Sequence, residues 1–171
     1  GALKYAIPAP DGPPIVAYDL VKAKQKRPPA HPRGVFCYVQ GSEYESSLSK
    51  IGMLASVVIF GGRAILVEKR GCDADSVDLA TAIRLDDKQT RVRDYCTALD
   101  TLLADVPADV PVVLVGASEG GDIAAAVAAA SPRVSHLIMI AAGGGMSQAE
   151  EFRHFVRQKP GYLGFQTVAA L

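Results

Sequence analysis

The sequence predicts one α/β domain with an open, mostly parallel sheet and helices on both of its faces. Short, nearly continuous apolar runs, typical of strands buried on both faces, recur from residue 34 onward. Segments whose apolar residues repeat at helical spacing lie between those runs. Alternation of this kind, here preceded by a short hairpin, is typical of parallel strands joined by crossover helices.

The hairpin is predicted at the start of the chain. Residues 3–7 and 15–21 are short extended runs, and the segment between them, residues 8–14, is rich in proline and glycine. Residues 22–33 are basic and contain prolines that exclude regular structure, so we expect a solvated connector there.

Four buried strands and three helices are predicted after the connector. The strands are at residues 34–39, 64–67, 110–115 and 134–142. The helices are at residues 49–60, 88–104 and 122–130. In the second helix the apolar residues fall on one face: Val92, Tyr95, Cys96, Leu99, Leu102 and Leu103. The third helix is so rich in alanine that it can lie very close to a sheet.

Composition excludes several classes of partner. Eighteen basic and eighteen acidic residues give a formal net charge of zero, so no long-range attraction favours nucleic acid or an anionic membrane. No apolar run approaches the ~18 residues of a membrane span. The three cysteines lack metal-ligand spacing and are expected to be free thiols. No export signal is visible, and a cytoplasmic location is therefore slightly favoured. An export signal that had been removed would leave the same sequence.

The most informative residues are Gly-Ala-Ser-Glu-Gly-Gly at positions 116–121, between a buried strand and the alanine-rich helix. A serine on such a strained turn needs small residues two before and two after it, which Gly116 and Gly120 supply. The turn lifts the Ser118 hydroxyl clear of the sheet and places it at a helix N-terminus. Ser118 is therefore the candidate nucleophile. The Glu119 amide is a candidate oxyanion donor, and the Glu119 side chain is expected to be a solvated acid.

With this motif between strand and helix, the sequence resembles the α/β-hydrolase superfamily over residues 15–145. Two further segments support the resemblance. Gln40-Gly41-Ser42 follows the first buried strand and looks like the family's His-Gly-x oxyanion loop, with Gln40 in place of the histidine. The resemblance implies that the amide of Ser42 is the second oxyanion donor.

The second segment, residues 68–76, follows the next buried strand and is similar to the family's D-x-R-G-x-G-x-S sequence, which shapes one wall of the active-site rim. Glu68 stands for the usual aspartate and Asp73 for the second glycine. These departures predict a differently shaped loop, and a simple polar turn is the alternative.

A serine nucleophile needs a histidine base and an acid that orients it. In this superfamily they follow the serine in the order acid, then histidine. His31 lies in the connector and is expected at the surface, and His136 lies at the far end of a strand and is expected to be structural. His154, in a polar helix predicted at residues 148–158, is a weak candidate base because no acid precedes it in the right place.

The missing groups suggest the front part of a larger hydrolase. Residues 1–146 would form the core, and residues 147–171 would begin a lid or connector. The function implied is hydrolysis of a carboxylic ester or related acyl bond of a small molecule through an acyl-serine at Ser118, with no cofactor and no metal.

Two alternatives stay open. One is a non-catalytic fragment or interaction module, because residues 134–142 would form an uncovered apolar edge that favours homo-oligomers. The other is a nucleotide or anion binder at the glycine-rich turn, but the sequences G-x-G-x-x-G and G-K-[ST] that this would require are absent.

Overall fold

A computed structural model of the chain describes residues 1–22, 25–142, 150 and 153. Within them, six strands are seen: β1 Ala2–Ile7, β2 Ile15–Leu20, β3 Val35–Val39, β4 Arg63–Val67, β5 Val112–Ala117 and β6 His136–Ile140. Four α-helices lie between strands: α1 Ile51–Ile59, α2 Leu79–Leu85, α3 Lys88–Leu102 and α4 Glu119–Ala130. A 3₁₀ turn, Ser47–Lys50, leads into α1.

The six strands form one sheet in the order β1-β2-β4-β3-β5-β6. β1 and β2 form the predicted hairpin, and β2 is also antiparallel to β4. The pairs among β3, β4, β5 and β6 are all parallel. The prediction of an open, mostly parallel sheet is therefore confirmed. In the register, Val39 lies opposite Gly116 and Ala117 opposite Ile140, so the carboxyl ends of β3, β5 and β6 meet at one edge.

Element boundaries differ modestly from the predicted ones. β6 is shorter than the predicted strand over residues 134–142. α4 begins at Glu119, three residues before the predicted start, because the turn at Ser118 leads directly into the helix. The sequence reading missed α2, which has only seven residues. Its start did carry a signal, since the Asp78 side chain accepts a hydrogen bond from the Thr81 amide at 3.1 Å, as an N-cap does.

Helices cover both faces of the sheet. On one face α3 and α4 pack through Leu99, Ile123 and Val127 against apolar side chains of the strands. On the other face Leu54 of α1 packs with side chains from β2, β3 and β4. Successive residues of a strand point to opposite faces, and accordingly Cys37 belongs to the first core and Tyr38 to the second. The three cysteines are free thiols, as predicted.

β6 forms the edge of the described sheet, and all five of its residues are exposed. Its apolar side chains are exposed by 37 to 45%: Leu137, Ile138, Met139 and Ile140. The apolar edge predicted from the sequence is therefore present in the part of the chain that the structure describes. No helix of that part combines the length and the apolar composition that crossing a membrane requires.

A buried ion pair joins β2 to β4. The Arg63 guanidinium donates to the Asp19 carboxylate, with Nε and Nη2 at 2.9 and 2.7 Å from Oδ2. Asp19 is fully buried and Arg63 is 3% exposed. Removing one partner would leave the other charge in the core, where it costs far more than in water. The pair therefore helps to specify how the hairpin joins the parallel strands.

We expect Asp19→Ala to lower the free energy of unfolding by about 3–5 kcal/mol, because the Arg63 charge then loses its buried partner. Glu45→Ala is the control, since Glu45 pairs with Lys50 at 2.8 Å while half of its side chain is exposed. Such surface pairs contribute about 1 kcal/mol or less. Urea unfolding of the full-length protein measures both changes. Equal, small losses would contradict a structural role for the buried pair.

Candidate active site

Ser118 lies on a sharp turn between β5 and α4. Its backbone has φ 53° and ψ −132°, a conformation that non-glycine residues rarely adopt and that costs about 1–3 kcal/mol. The backbone is held on both sides, because its N–H donates to the Ile140 carbonyl and its carbonyl accepts from the Gly121 N–H, each at 2.9 Å. The residue is exposed and its hydroxyl does not cap the helix. The turn thus presents the hydroxyl at the carboxyl edge of the sheet.

Glycines permit the close approach that this turn requires. A Cβ on Gly116 would lie 2.7 Å from the Gly121 nitrogen, and one on Gly120 would lie 2.8 Å from the Gln40 carbonyl oxygen. Both distances are too short for real atoms, so neither position accepts a side chain without a backbone shift. Gly121 is equally constrained, because its Cβ would collide with that of Ala142. The sequence analysis placed Gly121 in the motif but assigned it no role.

The loop after β3 lies directly against this turn. A Cβ on Gly41 would lie 3.2 Å from the Ala117 carbonyl oxygen, which places Ser42 in a segment next to the turn. The Gln40 side chain is fully buried, and its Nε2 donates to the carbonyls of Glu43 at 3.2 Å and Glu45 at 2.7 Å. Gln40 therefore shapes the loop from within. Ser42 itself is exposed.

The Glu119 side chain is bound to the protein, which corrects the expectation of a solvated acid. Its carboxylate accepts a hydrogen bond at 3.1 Å from Nη1 of Arg91, a buried residue of α3. Nη2 of Arg91 donates to the Gln40 carbonyl. The sequence reading missed Arg91. The available signal was its position on the apolar face of α3, one turn before Tyr95, where an unpaired charge would be costly.

Glu68 is the first residue of the segment over residues 68–76, and its side chain binds the loop after β3. Its buried carboxylate accepts hydrogen bonds from the Ser46 hydroxyl and, at 2.8 Å, from the Ser47 N–H. Burial raises the pKa of the Glu68 carboxyl, while the two serine hydrogen bonds act in the opposite direction. The longer side chain that replaces the family's aspartate therefore has a defined structural contact.

The rest of that segment is also anchored. Arg70 forms a bidentate ion pair with the Asp94 carboxylate, in which Nε and Nη2 each donate to one carboxylate oxygen at 2.7 Å. Asp73 accepts a 2.7 Å hydrogen bond from the Tyr18 hydroxyl and pairs with Lys4. The Lys4 ammonium lowers the pKa of the Asp73 carboxyl, and the Tyr18 hydroxyl adds to this effect. Asp73, in place of the family's second glycine, ties the segment to the opening hairpin.

Neither described histidine lies beside Ser118. His31 is exposed and precedes β3. His136 is the first residue of β6 and lies opposite Val113, whereas Ser118 follows the opposite end of β5. Ser118 lies five residues beyond Val113, roughly 17 Å along the strand direction. His154 and the predicted boundary at residues 146 and 147 lie outside the described residues. In that described part no group of three or more His, Cys, Asp or Glu is placed to hold a metal ion.

No family model and no curated protein matches the chain. Solved structures do match. A carboxyl esterase from Bacillus coagulans is 19% identical, with 92% of this chain and 49% of that chain covered and a TM-score of 0.62. A puromycin-hydrolysing peptidase from Mycobacterium tuberculosis is 17% identical, with 90% and 23% covered and a TM-score of 0.64. A proline iminopeptidase from Mycobacterium smegmatis is 18% identical, with 92% and 50% covered and a TM-score of 0.62.

These neighbours share the α/β-hydrolase fold, and the chain has this fold. The strand order and the helices on both faces agree with it. The chain spans at most half of the length of these three proteins. The roles predicted for Ser118, Ser42 and Glu119 stay predictions.

We expect Gly120→Ala to lower the free energy of unfolding by about 1–3 kcal/mol, because the added methyl overlaps the Gln40 carbonyl and forces the backbone apart. Gly52→Ala in α1 is the matched control, since a Cβ there meets nothing within 4 Å. In an open helical position alanine is about 1 kcal/mol more favourable than glycine. Chemical denaturation of the full-length variants distinguishes the two. A neutral Gly120→Ala would contradict the close contact.

Proposed function

Because the chain has the α/β-hydrolase fold, we propose that it is the nucleophile-bearing part of a serine hydrolase that cleaves a carboxylic ester or related acyl bond. The observation that carries the proposal is Ser118, exposed on a strained turn at the carboxyl edge of the sheet. A strained backbone persists only where the surrounding structure fixes it, and such residues cluster at active sites. Here two backbone hydrogen bonds and the glycine contacts fix it.

In the proposed reaction the Ser118 hydroxyl attacks the substrate carbonyl carbon. A general base takes the hydroxyl proton, and the carbonyl π electrons move to the oxygen, which becomes an oxyanion. Collapse of this intermediate expels the leaving alcohol, which receives the proton, and leaves an acyl-serine. Water then attacks the acyl-serine with help from the same base and releases the acid.

Two backbone amides are proposed to hold the oxyanion, those of Glu119 and Ser42. Glu119 is the first residue of α4, and the first amides of a helix point out of its positive end. The loop that carries Ser42 lies against Ala117, the residue before the nucleophile. Loss of one such donor slows turnover by roughly 10²- to 10³-fold in related chemistry.

The general base and its orienting acid are proposed to come from residues outside the described part. Neither His31 nor His136 is within reach of the nucleophile, and the base follows the serine in the order that this fold uses. Within this chain His154 is a weak candidate, because no acid precedes it in the right place. A small-molecule ester is the proposed substrate, and the carboxyl esterase among the structural neighbours supports this choice. The steps proposed require no cofactor.

We expect a fluorophosphonate probe to label the full-length protein at Ser118, because the activated hydroxyl displaces fluoride and forms a stable phosphonyl ester. Ser118→Ala should lose labelling and at least ~10³-fold of the hydrolysis of a p-nitrophenyl ester, since the covalent step disappears. Mass spectrometry of peptides locates the adduct, and absorbance follows the hydrolysis.

Ser56→Ala is the control, because Ser56 is an exposed serine of α1 on another part of the molecule. It should keep both labelling and turnover. A parent protein that stays unlabelled at Ser118, or a Ser118→Ala variant that keeps its turnover, would overturn the proposal. Comparing p-nitrophenyl esters with proline and other aminoacyl p-nitroanilides then separates ester from peptide chemistry.

A further inference from the structure

We propose that Arg91 is a positioning residue that sets the distance between the two halves of the oxyanion hole. The inference rests on the function proposed for Ser118 and adds a residue that the fold alone does not assign. Arg91 lies on α3, outside both segments that supply the amides. Its guanidinium nevertheless contacts both segments at once.

One guanidinium joins the two segments. Nη1 of Arg91 donates to Oε2 of Glu119 at 3.1 Å, and Glu119 is the residue that follows the proposed nucleophile. Nη2 donates to the carbonyl oxygen of Gln40, two residues before Ser42. Only 5% of the Arg91 side chain is exposed, so solvent screens these contacts little. A planar guanidinium holds its two acceptors in a fixed relation that a single ammonium cannot reproduce.

Two residues of α3 bind the backbone of Gln40, one at its N–H and one at its carbonyl oxygen. Tyr95 lies one turn after Arg91, and its hydroxyl accepts a hydrogen bond from the Gln40 N–H at 3.2 Å. Arg91 binds the carbonyl of the same residue. The Tyr95 hydroxyl also lies 3.3 Å from the Val67 carbonyl, to which it donates. α3 therefore orients the start of the oxyanion loop through both polar groups of one residue.

The Arg91 side chain is itself held in place. Asp86, at the end of α2, lies 3.6 Å from Nε of Arg91. The other Asp86 oxygen pairs with Nζ of Lys69 at 2.7 Å. Two cations and two carboxylates thus alternate in one chain of contacts, in which only the Glu119 side chain is more than a tenth exposed: Lys69, Asp86, Arg91 and Glu119. Because Glu119 offsets the Arg91 charge, the guanidinium acts through the main chain instead of on the substrate.

The consequence is geometric. Oxyanion donors work when they lie 2.7–3.1 Å from the developing charge. The close contacts at Gly41 and Gly120 limit how near the two segments can come, but they exert no attraction between them. A misplacement of about 1 Å can cost roughly 10²-fold in rate. Arg91 supplies an attractive contact across this gap.

The test is Arg91→Met in the full-length protein, with a p-nitrophenyl ester as substrate. We expect kcat to fall about 10- to 100-fold with KM within twofold, because the lost contact matters most once the oxyanion forms. Inhibition by a boronic acid, whose tetrahedral serine adduct occupies the same amides, should weaken by a similar factor.

Arg93→Met is the matched control, two residues further along α3. Arg93 is 43% exposed and pairs with Asp11 at 2.6 Å, so its removal should leave kcat and boronate inhibition unchanged. Arg91→Lys should recover part of the lost kcat, since an ammonium reaches one acceptor. Rates are normalised to the fraction of molecules that fluorophosphonate labels at completion, which removes any unfolded protein from the comparison.

If Arg91→Met does not fold, Glu119→Gln replaces it, because the amide keeps the volume but removes the charge that Arg91 holds. Its kcat should fall about 3- to 10-fold. A kcat within twofold of the parent in Arg91→Met, or in Glu119→Gln where that variant is used, overturns the positioning role. The proposed function stands in that case if Ser118 is labelled. An unlabelled parent protein overturns the function itself.

Discussion

Main chain packs against main chain where β5, α4 and the loop after β3 meet, and the arrangement of the candidate site depends on this contact. Gly116 and Gly120 leave no room for a methyl group, so backbone atoms set how closely the three segments can approach one another. The same crowding holds Ser118 in a backbone conformation that a serine would not otherwise adopt. The exposed hydroxyl is therefore a consequence of the packing beneath it.

Strand order makes this contact possible between segments far apart in the chain. β3 and β5 are neighbours in the sheet although a strand and three helices lie between them in sequence. Because the pair is parallel, with Val39 opposite Gly116, the loop after β3 and the turn after β5 leave the same edge side by side. Ligand sites of open α/β sheets lie at such an edge. The fold thus brings Ser42 and Ser118 to one place.

Local patterns were enough to predict the strands, three helices and the turn, because hydrophobic period and glycine spacing act over short distances. Pairings across the fold were not predictable in this way. Glu119 looked like a solvated acid because its partner, Arg91, lies 28 residues earlier on another helix. Glu68 and Asp73 looked like departures from a family pattern, yet both are hydrogen-bonded anchors. In each case the sequence shows the polar residue but not the group that binds it.

Backbone contacts and buried polar groups have different effects at this site. The glycine contacts limit how near the segments can come, but they do not set the orientation of the loop between β3 and the 3₁₀ turn. Hydrogen bonds to Gln40, Glu68 and Arg91 restrain that loop at its start and near its end. A buried ion pair contributes little net stability compared with a well-packed apolar pair, since desolvation offsets much of the attraction. The ion pair between Arg91 and Glu119 is therefore better explained by its effect on the orientation of the loop than by a contribution to stability.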